Sequence, residues 1–371
     1  MIPAKGLACN IRGFFVQVFG LAGRVVCMLD SFAKKVRLLR TWTAGHPLWC
    51  AWQVTYRCNF RCRFCGYWHD PMGKEPEPPP SQYRLGARKL ASFGSMFVSL
   101  AGGEPLLRDD LSDIVEEIAQ FHLPFVTTNG YLATPGVADA LMSAGLWGVS
   151  VSIDYADPAR HDEARGQDGA WAQAWRAVEM FSAARKHDYQ RVNVMAVLLD
   201  DNLDQLEELM QTAAKHKAYF MVQPYGRLKI NSRKFEYKNG PVAPRLLEMW
   251  RRNRNFLSNP IYLSKFDEFL TGGVPGCRAG RAFYNIDSAG DVAICVENKS
   301  RPVANLYTHS QYQLRDRLRA AGGGNKCTAC WYNCRGEVES LYKPRSLVMS
   351  LPMFLFNRGQ ADGQAMGRWG K

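Results

Sequence analysis

The sequence predicts an α/β fold, a partial (β/α)6 barrel followed by a small cysteine-bearing C-terminal module. Three observations predict it. Six short apolar runs alternate with helix-patterned stretches between residues 51 and 224. Cys58, Cys62 and Cys65 crowd the loop after the first run. Cys277, Cys295, Cys327, Cys330 and Cys334 gather in the last hundred residues, the first two spanning a hairpin pattern.

The apolar runs are Ala51–Tyr56, Met96–Ala101, Leu123–Thr128, Trp147–Ile153, Arg191–Leu198 and Ala218–Gln223. Helical patterns lie between them at Asp110–Phe121, Gly169–His187 and Asn202–His216. In the first of these, Leu111, Ile114, Val115 and Ile118 recur at helical spacing with acidic residues on the other face. Strand–helix alternation of this kind builds parallel strands joined by crossover helices. Six units make an open barrel rather than a closed eightfold one, with its site at the carboxyl ends of the strands. His69–Gln82 is a Pro-rich loop, Arg227–Gly240 a basic connector and Pro241–Leu257 a further helix. The expected organisation is a basic helical segment over 1–48, the core over 49–225, a connector with a helix over 226–275, the cysteine module over 276–340 and a basic, apolar tail over 341–371.

The first forty residues carry an apolar stripe, Phe15, Val18, Ala22, Val25, Leu29, Phe32, Val36 and Leu39, flanked by Arg12, Arg24, Lys34, Lys35 and Arg37. Such a helix suits docking on its own domain, or lying in a membrane interface. The apolar tail segment Leu347–Phe356 adds to the second reading. A net charge of +13 favours an anionic partner, although a scattered solvated surface accounts for it equally. No RNA-binding module or aromatic-basic motif is present, so no nucleic acid partner is expected. No run reaches the 18 or so uncharged apolar residues of a membrane span. Gly13–Gly23 has the look of a signal-peptide core, but secretion would expose the thiols to oxidation. The expected location is therefore cytoplasmic, with peripheral contact at the inner membrane face as its extension.

Thiols packed at Cys-x3-Cys-x2-Cys spacing suit metal ligation in a reducing compartment better than disulfides. Three thiolates fill three positions of a tetrahedral zinc, or three of the four irons of a [4Fe–4S] cube. Structural zinc sites usually take four protein ligands, and only His69 follows closely. A cube held by three cysteines leaves one iron open for a substrate or cofactor.

The triplet resembles the signature of the radical S-adenosylmethionine (SAM) superfamily, and further stretches match in order. Phe64 stands where that family usually has an aromatic residue against the adenine of SAM. "AGGEP", Ala101–Pro105, resembles its Gly-Gly-Glu motif, in which Gly102, Gly103 and Glu104 would engage the methionine amino group. "TTNG", Thr127–Gly130, "SVSID", Ser150–Asp154, and "HDEARG", His161–Gly166, follow as in the subgroup with auxiliary clusters. By that match Ser152, Asp154 and Arg165 join the cofactor-binding candidates; Ser152 and Asp154 would equally cap the next loop. Cys277, Gly290 and Cys295 resemble the hairpin of the SPASM and twitch modules, and "CTACWYNC", Cys327–Cys334, follows. The resemblance implies a twitch-type module with one auxiliary [4Fe–4S] cluster on four of the five cysteines, Cys277 and Cys295 with Cys327 and Cys330 as the expected set. A zinc ribbon is the alternative there.

The implied activity is reductive cleavage of SAM to a 5′-deoxyadenosyl radical, which removes hydrogen from an unactivated C–H bond. Cys58, Cys62 and Cys65 would hold the catalytic cluster, and Glu297 lies near a position where some relatives keep a substrate base. The expected partners are an electron donor such as flavodoxin or ferredoxin, and a peptide or a small-molecule or lipid substrate. The C-terminal residues "RWGK" do not match the Gly-Gly end of the GTP-cyclising relatives. The reading from another class is a non-catalytic iron–sulfur or metal-binding scaffold at the membrane surface.

Overall fold

The computed structural model describes residues 32–343. Strands β1 (Trp49–Thr55), β2 (Phe97–Gly102), β3 (Leu123–Thr128), β4 (Gly148–Ser152), β5 (Arg191–Leu198) and β6 (Tyr219–Pro224) pair in chain order, all parallel. This is the predicted half-barrel. Each expected run lies within two residues of its strand, and β3 and β5 coincide with theirs. Crossover helices are α2 (Pro80–Leu90), α3 (Leu111–Ala119), α4 (Pro135–Ser143), α5 (Pro158–Arg165), α6 (Ala170–Ala184) and α7 (Leu206–Lys215), preceded by a helix α1 over 32–43.

The two-residue period of the strands sorts their side chains. Cys50, Trp52 and Val54 of β1, Val98 and Leu100 of β2, and Val192, Val194 and Ala196 of β5 pack with the helices into the main core. Alternate positions, Trp49, Phe97, Phe125 and Trp147, join a second cluster with Leu38 of α1 and with Ala282, Phe283 and Val338 from the end of the chain.

The C-terminal region continues the same sheet. β7 (Phe283–Ile286) pairs parallel to the free edge of β1, with Trp49 opposite Phe283 and Trp52 opposite Ile286. β8 (Asp291–Ala293) and β9 (Ala304–Asn305) then add antiparallel, through the turn expected at Ser288–Asp291. Gly290, at φ 84°, closes that turn, where a Cβ would meet the Tyr307 ring at 2.4 Å. Between β6 and β7 run α8 (Ala243–Arg252), α9 (Pro260–Leu263) and α10 (Phe266–Gly272); α11 (Gln311–Gly323) and α12 (Asn333–Leu341) follow β9.

α1 docks by a different face from its apolar stripe. Leu38, Thr41 and the stems of Lys34 and Lys35 are buried, while Phe32 and Leu39 are 62% and 45% exposed. Lys34 Nζ sits 4.9 Å from the centre of the Tyr189 ring, so the long lysine stems cover aromatic surface. Phe15 to Leu29 of the stripe, and the tail segment Leu347–Phe356, lie outside the described residues. Among the described residues no helix is long and apolar enough to cross a membrane.

Candidate active site

The cysteine loop leaves the carboxyl end of β1 and is tied down on both sides. Gly103 N donates to Thr55 O at 2.9 Å, Glu104 N to Arg57 O at 2.8 Å, and Arg63 N to Ala164 O at 3.1 Å. These bonds explain the Gly-Gly pair. A Cβ at Gly102 would stand 1.9 Å from Thr55 O, and one at Gly103 1.9 Å from Arg57 O. The close approach that the glycines permit is therefore to the stem of the cysteine loop itself. Cys62 is buried; Cys58 and Cys65 are half-buried.

Glu104 is buried and anchors three segments. Its Oε1 accepts from Leu106 N at 2.9 Å and Thr128 Oγ1 at 2.6 Å, and its Oε2 from Asn129 N at 2.7 Å. Burial pushes its carboxyl up and these bonds oppose that. With about four lone-pair positions on a carboxylate, one on Oε2 is left for a further donor. Asn129 in turn donates to Asn59 Oδ1 at 2.8 Å, linking the end of β3 to the cysteine loop.

Asp154 and Arg165 form a buried pair beneath that loop. Arg165 Nε donates to Asp154 Oδ2 at 2.7 Å, and Val197 N donates to Oδ1 at 2.9 Å. The Asp157 side chain caps the start of α5, and Gly166 at φ 64° ends it, which places Arg165 in the last turn. His161 Nδ1 accepts from Asp154 N at 3.2 Å, and burial, with Arg165 nearby, holds the imidazole well below its usual range and neutral. The guanidinium lies 5.3 Å from the centre of the Phe64 ring, which packs edge-on to Phe235. Burial pushes the Cys62 thiol up to about 12, against the pull of Arg165, and the Cys58 thiol up to about 11. Ser152, at the end of β4, is half-buried.

Cys277, Cys295, Cys330 and Cys334 converge at the other end of the site. All four thiols are pushed up by burial; Cys295 feels Cys277, Cys330 feels both, and Cys334 feels Cys330 and Cys295. Cys327 is exposed. Arg335 braces this group, donating to Val274 O at 2.6 Å and Cys330 O at 2.7 Å, with Glu339 at 3.3 Å as its counter-charge. Among the described residues no three Cys, His, Asp or Glu side chains close on one point tightly enough to hold a single ion.

Between the two cysteine sets, the expected candidate Glu297 meets three residues that the sequence did not signal as site residues, Lys229, Tyr67 and Tyr332. Lys229 Nζ is 2.9 Å from Glu297 Oε1, 5.1 Å from the centre of the Tyr67 ring and 5.3 Å from that of Tyr332. Tyr67 feels Cys65 and Cys334 feels both Lys229 and Glu297, so the group touches the fields of both sets. Gly226 makes room for it: a Cβ there would meet the Tyr332 ring at 2.2 Å. Asp70 and Lys299 form a second ion pair between the same two regions. Only chain proximity to the cysteines, two residues after Cys65 and two before Cys334, pointed to the tyrosines.

The family model "Radical SAM superfamily" matches residues 52–213. The mycofactocin maturase MftC of Mycolicibacterium smegmatis is 28% identical over 324 residues, 78% of this chain and 77% of that protein. A GTP 3′,8-cyclase of Yersinia pestis is 32% identical over 185 residues, 48% of this chain and 51% of its own length. Among solved structures, Streptococcus suis SuiB bound to precursor peptide SuiA aligns with a TM-score of 0.59 at 19% identity, covering 77% of this chain and 70% of that one. That last likeness is one of fold.

Proposed function

This chain belongs to the radical SAM superfamily, and from that premise we propose that it modifies a peptide held between its two cysteine sets. It is a radical SAM enzyme, and its cofactors are a [4Fe–4S] cluster and SAM. The observation that carries the proposal is the Tyr67–Lys229–Glu297–Tyr332 group, which spans the gap between the loop at Cys58–Cys65 and the cysteines at 277–334. Its peptide character is supported by the likeness to the maturase MftC over most of both chains, and by a fold shared with a structure that holds a precursor peptide.

The residues suit the cofactors. Three thiols on one pinned loop offer a cube three ligands and leave one iron open. The cluster and SAM together supply the hydrogen-abstracting chemistry. Around them, Glu104 presents its remaining lone pair to an ammonium, Phe64 an apolar face to a purine, and Arg165 a fixed positive charge beside the thiolates. Ser152 and the backbone at Gly102 and Gly103 line the same carboxyl ends of the strands. Cys277, Cys295, Cys330 and Cys334 are the ligand set for an auxiliary cluster. Glu297, held 2.9 Å from Lys229 Nζ, is placed to take a proton from substrate, while the Tyr67 and Tyr332 rings pack against the lysine. A flavodoxin or ferredoxin is the expected electron donor.

The test is anaerobic 5′-deoxyadenosine formation by the cluster-loaded chain with a panel of synthetic peptides. A peptide that raises turnover and changes mass supports the reading. Stimulation only by an extracted lipid or other small molecule replaces it. One observation favours contact with a membrane surface besides: Phe32 and Leu39 face solvent on α1, where Arg37 and Arg40 are exposed. Flotation of the full chain with vesicles, and its loss on replacing Phe32 and Leu39 by Ser, tests that addition.

A further inference from the structure

We propose that a cavity at the opposite end of the barrel from the cysteine loop at Cys58–Cys65 binds a phosphate group. The cavity holds about 280 Å³ and its wall includes His46, Arg278, Arg281, Arg315 and Arg319. Its position follows from the strand directions. Residues 45–47 lead into β1, Phe93 precedes β2 and Arg281 precedes β7, whereas the cysteine loop leaves the far end of β1. The two sites therefore lie at opposite ends of the same parallel strands.

Four arginines and no acidic residue line this cavity; Arg278, Arg281 and Arg319 are exposed at its mouth and Arg315 is half-buried. Arg281 and Arg319 have no ion-pair partner among the described residues. Arg315 Nε is buried and has the exposed Asp316 carboxylate at 3.5 Å, with no hydrogen bond formed. Arg278 lies 4.2 Å over the Tyr342 ring and has Glu339 as its nearby counter-charge. His46 Nδ1 is likewise buried and unpartnered. Like charges gathered in so small a space repel, and an anion relieves them. Unpaired buried donors ask for an acceptor.

Several arginines on one cavity wall can offer their forks to the oxygens of a phosphate, while one carboxylate would leave most of them unused. The volume sits at the lower edge of small-molecule sites, about 300–1,000 Å³, so the site fits a phosphorylated small molecule or a lipid headgroup. It gives the net charge of +13 one defined place to act.

The experiment uses the full, cluster-loaded chain in calorimetric titrations with inorganic phosphate and pyrophosphate. Saturable binding at one site is expected. Arg281→Gln and Arg319→Gln should each weaken it about tenfold, the loss of one charge-assisted contact. Arg252→Gln on the exposed end of α8 should leave it unchanged. Iron content and far-ultraviolet circular dichroism equal to wild type certify that each variant is folded. A phosphatidate vesicle arm separates the sources: sedimentation with these vesicles that both variants lose identifies a lipid headgroup, and soluble binding alone identifies a free phosphorylated ligand. Either result supports the phosphate site. No saturable binding, binding that both folded variants keep, or variant-sensitive binding of polyglutamate that phosphate does not displace would overturn it.

Discussion

Arg165 holds Asp154 Oδ2 at 2.7 Å from both Nε and a terminal nitrogen, with the carboxylate fully buried and the guanidinium under the Phe64 ring. One ion pair thus joins the end of β4 to the underside of the cysteine loop. Breaking a buried pair from one side leaves an uncompensated charge, which typically costs about 3–5 kcal/mol. Arg165→Leu is expected to destabilise the protein by about that much in denaturant unfolding, and to lower SAM affinity in addition. Arg165→Lys keeps a charge but loses the fork, and should fall between the two.

Gly103 tests whether the packing of the second strand end against the cysteine loop matters. A methyl group there would lie 1.9 Å from Arg57 O, a backbone atom that cannot turn aside. Gly103→Ala is expected to cost about 1–3 kcal/mol and to reduce iron retained at Cys58, Cys62 and Cys65. An alanine variant with wild-type unfolding midpoint and iron content would show that the loop has slack.

The C-terminal cysteines should separate by burial. Cys334→Ser is expected to remove about four irons per chain, the content of one cube. Cys327→Ser, at the exposed position, should remove none. Iron assay of both variants in a background lacking Cys58, Cys62 and Cys65 isolates the auxiliary site.

The iron-free protein should lose stability in alkali. Burial raises the thiols of Cys58 and Cys295 to about 11 and those of Cys62 and Cys330 to about 12. An unfolded thiol ionises near about 8.5. Between these values the unfolded chain binds fewer protons than the folded one, so stability falls as pH rises. The contribution is fully present below about pH 8.5 and is lost through pH 11–12. Thermal unfolding from pH 8 to 10.5 should give a falling midpoint for the iron-free chain, and less of a fall for a cysteine-to-serine variant of the same sites.

The half-barrel was legible because its strands are buried runs punctuated by amphipathic helices such as α3, a local signal. The hairpin at Cys277–Cys295 was legible for the same reason: its glycine turn is written in consecutive residues. That β7 extends the main sheet beside β1 was not, because edge pairing is a tertiary choice with no local mark. Phe32 and Leu39 misled, since a stripe at helical spacing does not say which face docks when lysine stems pack equally well. Lys229 was hidden in a basic connector, and only the fold brings it to Glu297, 68 residues on. The partnership of Asp154 with Arg165 was also unseen; their separate resemblance to cofactor contacts was all the sequence offered.

The most direct measurement reconstitutes the full chain with iron and sulfide under anaerobic conditions, counts iron, then adds dithionite and SAM. About eight irons per chain, and 5′-deoxyadenosine that disappears when Cys58, Cys62 and Cys65 become Ala, is the predicted result. Zinc in place of iron, or loaded clusters that fail to cleave SAM under several reductants, would contradict the account and leave a metal-binding scaffold.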